Sequence, residues 1–142
     1  MIQLKVVFSE VYEVMKELVF GTKHVFSQEV IDSQCAKAVG SGSLAVLGTP
    51  VMIALMEKAT CECIASFLDD NETTVGTKID VSHNAPTVVG REVTVSAELV
   101  EADRRKLVFK VEACDEAGVI GNGRIERFVV DAKTFMEKAE KR

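Results

Sequence analysis

The sequence predicts an α+β fold in which an antiparallel sheet wraps around one long central helix. Three observations point to it. Residues 51–68 contain no Gly or Pro and carry charge only at Glu57, Lys58 and Glu62. The second half of the chain alternates apolar and polar residues, as half-buried strands do. Its connections are short and polar, which suits antiparallel hairpins.

In chain order, Leu4, Val7, Val11, Val14 and Leu18 recur at spacings of three and four, with Glu10, Glu13, Lys16 and Glu17 between them. This pattern predicts an extra N-terminal amphipathic helix. Gly21-Thr22 ends it, and residues 24–32, with Val25, Val30 and Ile31, read as a first strand. Gly40-Ser41-Gly42-Ser43 marks a flexible loop. The central helix then opens with Thr49 suited to the N-cap and Pro50 to the first helical position, and runs to Leu68. With so little polar surface it should be largely buried. Asp69-Asp70-Asn71 is turn composition.

Strands follow over residues 73–81, 92–100, 106–113 and 119–130, and a weakly helical stretch covers 132–141. Val93, Val95, Ala97 and Leu99 in one strand, and Leu107, Phe109, Val111 and Ala113 in the next, should point inward. Without repeats or linkers, residues 1–142 are expected to form one domain, with the helix in 1–21 and the core in 24–135. Its sheet edges and apolar helix lead to the expectation of a homodimer.

A chain of this length buries roughly two-thirds of its unfolded surface, enough for one real core. A formal charge of −5 and a pI near 5.1 oppose binding to nucleic acid or anionic membranes. No apolar run approaches the ~20 residues of a membrane span and no signal peptide is recognisable, so a cytoplasmic location is expected. Of the four cysteines, only Cys61 and Cys63 are close in sequence, and two residues apart on a helix they face opposite sides. No metal or cofactor is expected, and the thiols read as reduced and mostly buried.

Several segments carry chemistry together: Thr49-Pro50-x-Met52-x-x-Leu55-Met56-Glu57, Val75-Gly76-Thr77, Val81-Ser82-His83-Asn84-Ala85-Pro86-Thr87, and Gly123-Arg124-Ile125-Glu126-Arg127-Phe128. With their spacing, they resemble the fluoroacetyl-CoA thioesterase-like family of hotdog-fold thioesterases. The resemblance covers about residues 24–135 and implies a hotdog fold, an acyl-CoA substrate and hydrolysis of its thioester. It implies a catalytic Thr49, Glu57 and His83, with Gly76, His83 and Arg127 holding the substrate. The segment 38–47 departs from it in lacking any aromatic residue, so specificity for the fluorinated acyl group is not carried over.

Each residue also has an ordinary reading. Glu57 interrupts an apolar helix, where a carboxylate needs a partner; it either pairs with Lys58 at the surface or orients and charges a histidine. His83 is a satisfied loop histidine or a general base whose ordinary pKa suits neutral pH. Thr49 is an N-cap or a hydroxyl that attacks the thioester or holds the attacking water. Gly76 in mid-strand suggests a bulge or a close approach of ligand to backbone, and by resemblance its amide is an oxyanion donor. Arg127 shares a strand face with Ile125 and Val129; it pairs with Glu126 or Glu92, or meets substrate. His24 is structural or solvent-facing, and Arg104-Arg105-Lys106 is either a solvated turn or a CoA phosphate contact.

Geometry poses one difficulty, because eight helical residues separate Thr49 from Glu57 by about 12 Å. His83 reaches both only if the helix starts later, the loop folds back, or a second subunit supplies one of them. Hydrolysis of an acyl-CoA is the leading expectation, and non-catalytic acyl-CoA binding or sensing is the alternative. Enoyl-thioester hydration fits less well, since Asp80 lies only three residues before His83.

Overall fold

The computed structural model describes residues 21–142 throughout, together with the backbone of Lys5–Val6 and Leu18–Val19. The N-terminal helix expected over residues 4–18 lies mostly outside the described residues. At its two ends the chain is extended: β1 (Lys5–Val6) and β2 (Leu18–Val19) pair antiparallel.

The main sheet has five antiparallel strands, β3 (Lys23–Glu29), β4 (Glu72–His83), β5 (Glu92–Asp103), β6 (Lys106–Asp115) and β7 (Gly118–Asp131), in the order β3-β5-β6-β7-β4. β3 and β4 are its edges. After β3 come a 3-10 turn at Asp32–Gln34 and a short helix α1 (Ala36–Val39), which Gly40 ends in the left-handed conformation. The sequence reading had carried the first strand on to Asp32, where this turn begins. The central helix α2 (Thr49–Ile64) continues into a 3-10 turn at Ala65–Phe67, and α3 (Ala132–Glu140) closes the chain.

Inward alternation holds along the central strands. Val93, Val95, Ala97 and Leu99 of β5 are fully buried, as are Leu107, Phe109, Val111 and Ala113 of β6. They meet Met52, Leu55, Met56, Ala59, Cys63 and Ile64, which recur at helical spacing along α2. The helix is therefore buried on one side only. Val51 and Ile53 are half-covered and Ala54 and Cys61 exposed, because the sheet reaches just one face of a helix that is apolar nearly all round.

The hairpins are tighter than expected. β5 and β6 pair out to Asp103 opposite Lys106, so Arg104 takes a left-handed φ of 58° in a two-residue turn. Cys61 is exposed while Cys63 is buried and donates to the Thr22 carbonyl, and burial pushes the Cys63 thiol up to about 11. Such a thiol stays protonated and inert. Among the described residues no helix is long and apolar enough to cross a membrane.

Candidate active site

α2 and β4 lie against each other, and polar residues cluster at both ends of their contact. At the first end, Thr49 is the first residue of α2. The N-cap is Gly48, with no side-chain capping bond, so the expected role of Thr49 as N-cap is not what the chain adopts. Its hydroxyl is released from the helix end and lies 2.8 Å from His83 Nδ1.

His83 is the last residue of β4, paired with Gly121 of β7, and not a residue of the following loop. The pairing depends on glycine. A Cβ on Gly121 would meet the Ser82 carbonyl at 2.5 Å and Met52 Sδ at 2.8 Å, and one on Gly123 (φ 156°) would overlap the Asp80 carbonyl. Burial holds the His83 imidazole below its ordinary 6.5, opposed by the nearby Ala85 backbone. The ring is therefore neutral at pH 7. Its second nitrogen, Nε2, is buried with no hydrogen-bond partner among the described residues. Beside the pair opens a cleft of about 270 Å³ walled by Ala36, Ser41, Val46, Leu47, Ala85 and Pro86.

At the second end stand Glu57, Gly76 and Arg127. Glu57 pairs with neither Lys58 nor His83; its Oε2 accepts from Arg127 Nη1 at 2.7 Å. Lys58 instead sits 4.7 Å above the Phe26 ring. Arg127 points inward between Ile125 and Val129 and is 6% exposed. It is bound to neither Glu126 nor Glu92: its Nε donates to Thr74 Oγ1 and its Nη2 to the Thr74 carbonyl, both at 2.9 Å. A Cβ on Gly76 would overlap Glu57 Oε2, so only glycine lets the carboxylate settle over the strand.

A bulge relates the two ends. The β4–β7 register slips between Gly76 and Lys78, leaving Thr77 without an opposite number. Seven residues separate Gly76 from His83, an odd number, so a regular strand would turn them to opposite faces. The extra residue restores the parity. Gly76 opposite Arg127, Ile79 opposite Ile125 and His83 opposite Gly121 all face α2.

The structure thus brings Thr49 to His83, and Glu57 to Gly76 and Arg127, but leaves the two groups about 12 Å apart along an unbroken helix. The helix does not start later, and no hydrogen bond joins His83 to Glu57. Thr74 escaped the sequence reading, while the bulge expected at Gly76 falls at the adjoining Thr77. Thr74 had a signal, since it lies two residues before Gly76 and so on the same strand face. Of the remaining candidates, His24 is half-exposed with Nε2 3.4 Å from Glu62. Arg105 donates to the Val129 carbonyl and Lys106 lies 3.8 Å from Glu126, so two residues of the basic turn are held by the protein itself.

A sheet wrapped on one helix, with a hydroxyl–imidazole pair at the helix start and a carboxylate two turns on, defines a hotdog-fold thioester hydrolase. Residues 30–133 match the family described as fluoroacetyl-CoA-specific thioesterase, and the chain belongs to that family. It is 38% identical over 97 residues to the fluoroacetyl-CoA thioesterase of Streptantibioticus cattleyicolor, covering 68% of this chain and 70% of that one. A solved structure of a fluoroacetyl-CoA thioesterase superposes with a TM-score of 0.83 at 31% identity, covering 88% of this chain and 97% of the other. A variant of that enzyme holding fluoroacetate and CoA superposes at 0.80 and 31% identity, over 83% and 99%. A thioesterase superfamily member from Thermus thermophilus follows at 0.79 and 26%, over 86% and 90%.

Proposed function

We propose that the chain hydrolyses a small or medium acyl-CoA to the free acid and CoA, in a site completed between two copies of the chain. One observation carries the reading: the Thr49–His83 hydrogen bond combined with a buried, unpartnered Nε2 on the same ring. For Nδ1 to take a proton it must be bare, so Nε2 carries the other hydrogen. That N–H lacks an acceptor, and a carboxylate there would fix the tautomer and stabilise the imidazolium.

β4 is a sheet edge, and with Thr77 bulged out of register Asp80, opposite Arg124, sits midway between Gly76 and His83. Pairing two β4 strands antiparallel about a two-fold axis at Asp80 lays Gly76 of one protomer opposite the partner's His83. Such an arrangement brings Glu57 toward the histidine that lacks an acceptor, and it covers the open face of α2. The homodimer is in this sense part of the chemistry.

The steps then follow from the groups. His83 Nδ1 takes the proton of the Thr49 hydroxyl, or of a water that Thr49 holds, as the oxygen attacks the thioester carbonyl. Negative charge develops on the carbonyl oxygen, where the Gly76 amide donates. The carbon–sulfur bond breaks, and the CoA thiolate recovers the proton from the imidazolium. If Thr49 itself is acylated, water attacks the ester by the same base. Buried Arg127 acts behind Glu57, and its hold on the substrate passes through that carboxylate. Apart from Thr49, His83 and Asn84, the cleft is walled by small and aliphatic residues with no Phe, Tyr or Trp, which supports acyl groups larger than fluoroacetyl. The location that suits this reading is the cytoplasm, where free cysteines such as these remain reduced.

The test is release of free CoA thiol from a panel of short, branched and aromatic acyl-CoAs. Turnover of at least one member is expected. Binding of CoA esters with no thiol released from any of them would overturn hydrolysis in favour of a non-catalytic binder.

A further inference from the structure

We propose that Thr74 is the positioning residue for Glu57, acting through Arg127. This inference rests on the hydrolytic reading above, in which Glu57 serves His83 across the dimer axis.

A guanidinium is planar, and its Nε and Nη2 hydrogens leave along one edge in a fixed fork. Both hydrogens of that edge end on Thr74, one on Oγ1 and one on the backbone carbonyl. The carbonyl belongs to β4 and is held by the sheet, while the hydroxyl comes from a side chain that is 7% exposed and has little room to turn. With the edge pinned at two points, the remaining nitrogen, Nη1, has a fixed direction. It points at Glu57 Oε2.

Glu57 otherwise has no reason to stay in place. Its side chain is 35% exposed and reaches from the flank of the helix over a glycine that offers it no side chain to lean on. Arg127 grips only one carboxylate oxygen, Oε2, so Oε1 is left for the imidazole that the reading assigns to it. Thr74 therefore sets where that oxygen sits without touching substrate or histidine. A displacement of about 1 Å in such a group costs roughly 100-fold in rate, which makes the placement measurable.

The experiment compares steady-state kinetics of the full chain carrying Thr74→Val, Thr74→Ser, Arg127→Lys and Glu57→Gln, alone and combined, on the best acyl-CoA of the panel. Thr74→Val is isosteric but removes the acceptor for Nε, and is expected to lower kcat about 10- to 100-fold with KM within about twofold. Thr74→Ser restores the hydroxyl and should return kcat to within a few-fold of wild type. Arg127→Lys keeps the charge and loses the fork, so its kcat should fall as in Thr74→Val; this variant carries the test if Thr74→Val does not fold. In the Glu57→Gln background Thr74→Val should change kcat little further, since the two act through one group. An equal additional loss there, or a raised KM with unchanged kcat, overturns the positioning role while leaving hydrolysis standing. A wild-type chain that turns over no acyl-CoA overturns both.

Discussion

The two ends of the α2–β4 contact differ in how they treat charge. At the helix start the groups are neutral: a hydroxyl, and an imidazole that burial keeps unprotonated at pH 7. Two turns along they are ionic, an arginine buried in the sheet clamped by Thr74 and Glu57. The neutral end has an unmet hydrogen-bond requirement at Nε2, and the ionic end has a carboxylate with one oxygen to spare. Each lacks what the other holds, yet a continuous helix keeps them apart within one chain. The division teaches that an odd residue in an edge strand, Thr77, turns both ends to one face so that a two-fold axis can join them.

The largest effect should come from separating the two halves without altering either. Ile79→Lys places a charge beside the midpoint of the β4 edge, where strand pairing between copies would bury it. Light scattering should report a monomer near 15.5 kDa with unchanged circular dichroism. Turnover should fall more than ~1000-fold, because the reacting groups no longer share a site. A folded monomer that keeps its activity would end the shared-site explanation.

Next in size is the base itself. His83→Ala should lower turnover by at least ~100-fold with the fold intact, and near wild-type turnover would show the assignment to be wrong. The pH profile of Glu57→Gln carries a sign, because burial then acts on the ring without a facing carboxylate charge. With its folded pKa lowered below 6.5, His83 stays a free base to lower pH than an exposed histidine does. The acidic limb of kcat/KM should therefore fall only below pH 6.5. The same shift makes the unfolded chain bind a proton first, so His83's contribution to stability declines as pH drops from 6.5 through its folded pKa. A limb centred above pH 6.5 would contradict the buried, neutral ring.

Glu57→Gln tests the ionic end with less disruption. The amide keeps the shape and removes the charge that would stabilise an imidazolium, so folding should persist while turnover falls about 10- to 100-fold. An unchanged rate would reduce Glu57 to a structural partner of Arg127. Glu57→Ala is the weaker experiment, since it also strands the buried guanidinium.

Much of this architecture was legible in the sequence, and the rest was hidden for identifiable reasons. The period-2 pattern of β5 and β6 identified which of their residues enter the core, because burial and pattern have the same cause, whereas the apolar run of α2 located the helix but not its buried side. Gly76 drew attention as a bulge or a close approach, and it stands at both. The partner of Glu57 was invisible because Arg127 is distant in sequence and joined to it only by sheet register. The slip at Thr77 leaves no mark in hydrophobic periodicity, yet it decides which way His83 points. Thr49 misled for another reason: its residue type and its place before proline fit a cap, and whether the preceding Gly48 takes that position is set by tertiary packing.

Thr49 therefore supplies the smallest and most discriminating effect, one on stability. An N-cap threonine replaced by a non-capping residue costs about 0.5–2 kcal/mol, because an orphan amide of the first turn loses its acceptor. In this chain Gly48 is the cap and the Thr49 hydroxyl bonds His83 instead, so Thr49→Val should shift the thermal midpoint by no more than about 2 °C, within the range of neutral surface substitutions. Turnover should nevertheless drop, while Thr49→Ser, which keeps the hydroxyl, retains most of it. Retention of an acyl group on the wild-type protein after rapid quenching, detected as added mass and absent in Thr49→Val, would assign the hydroxyl as nucleophile and not as water holder. A melting loss of the size expected for a cap, with turnover unaffected, would reverse the assignment and return Thr49 to the helix.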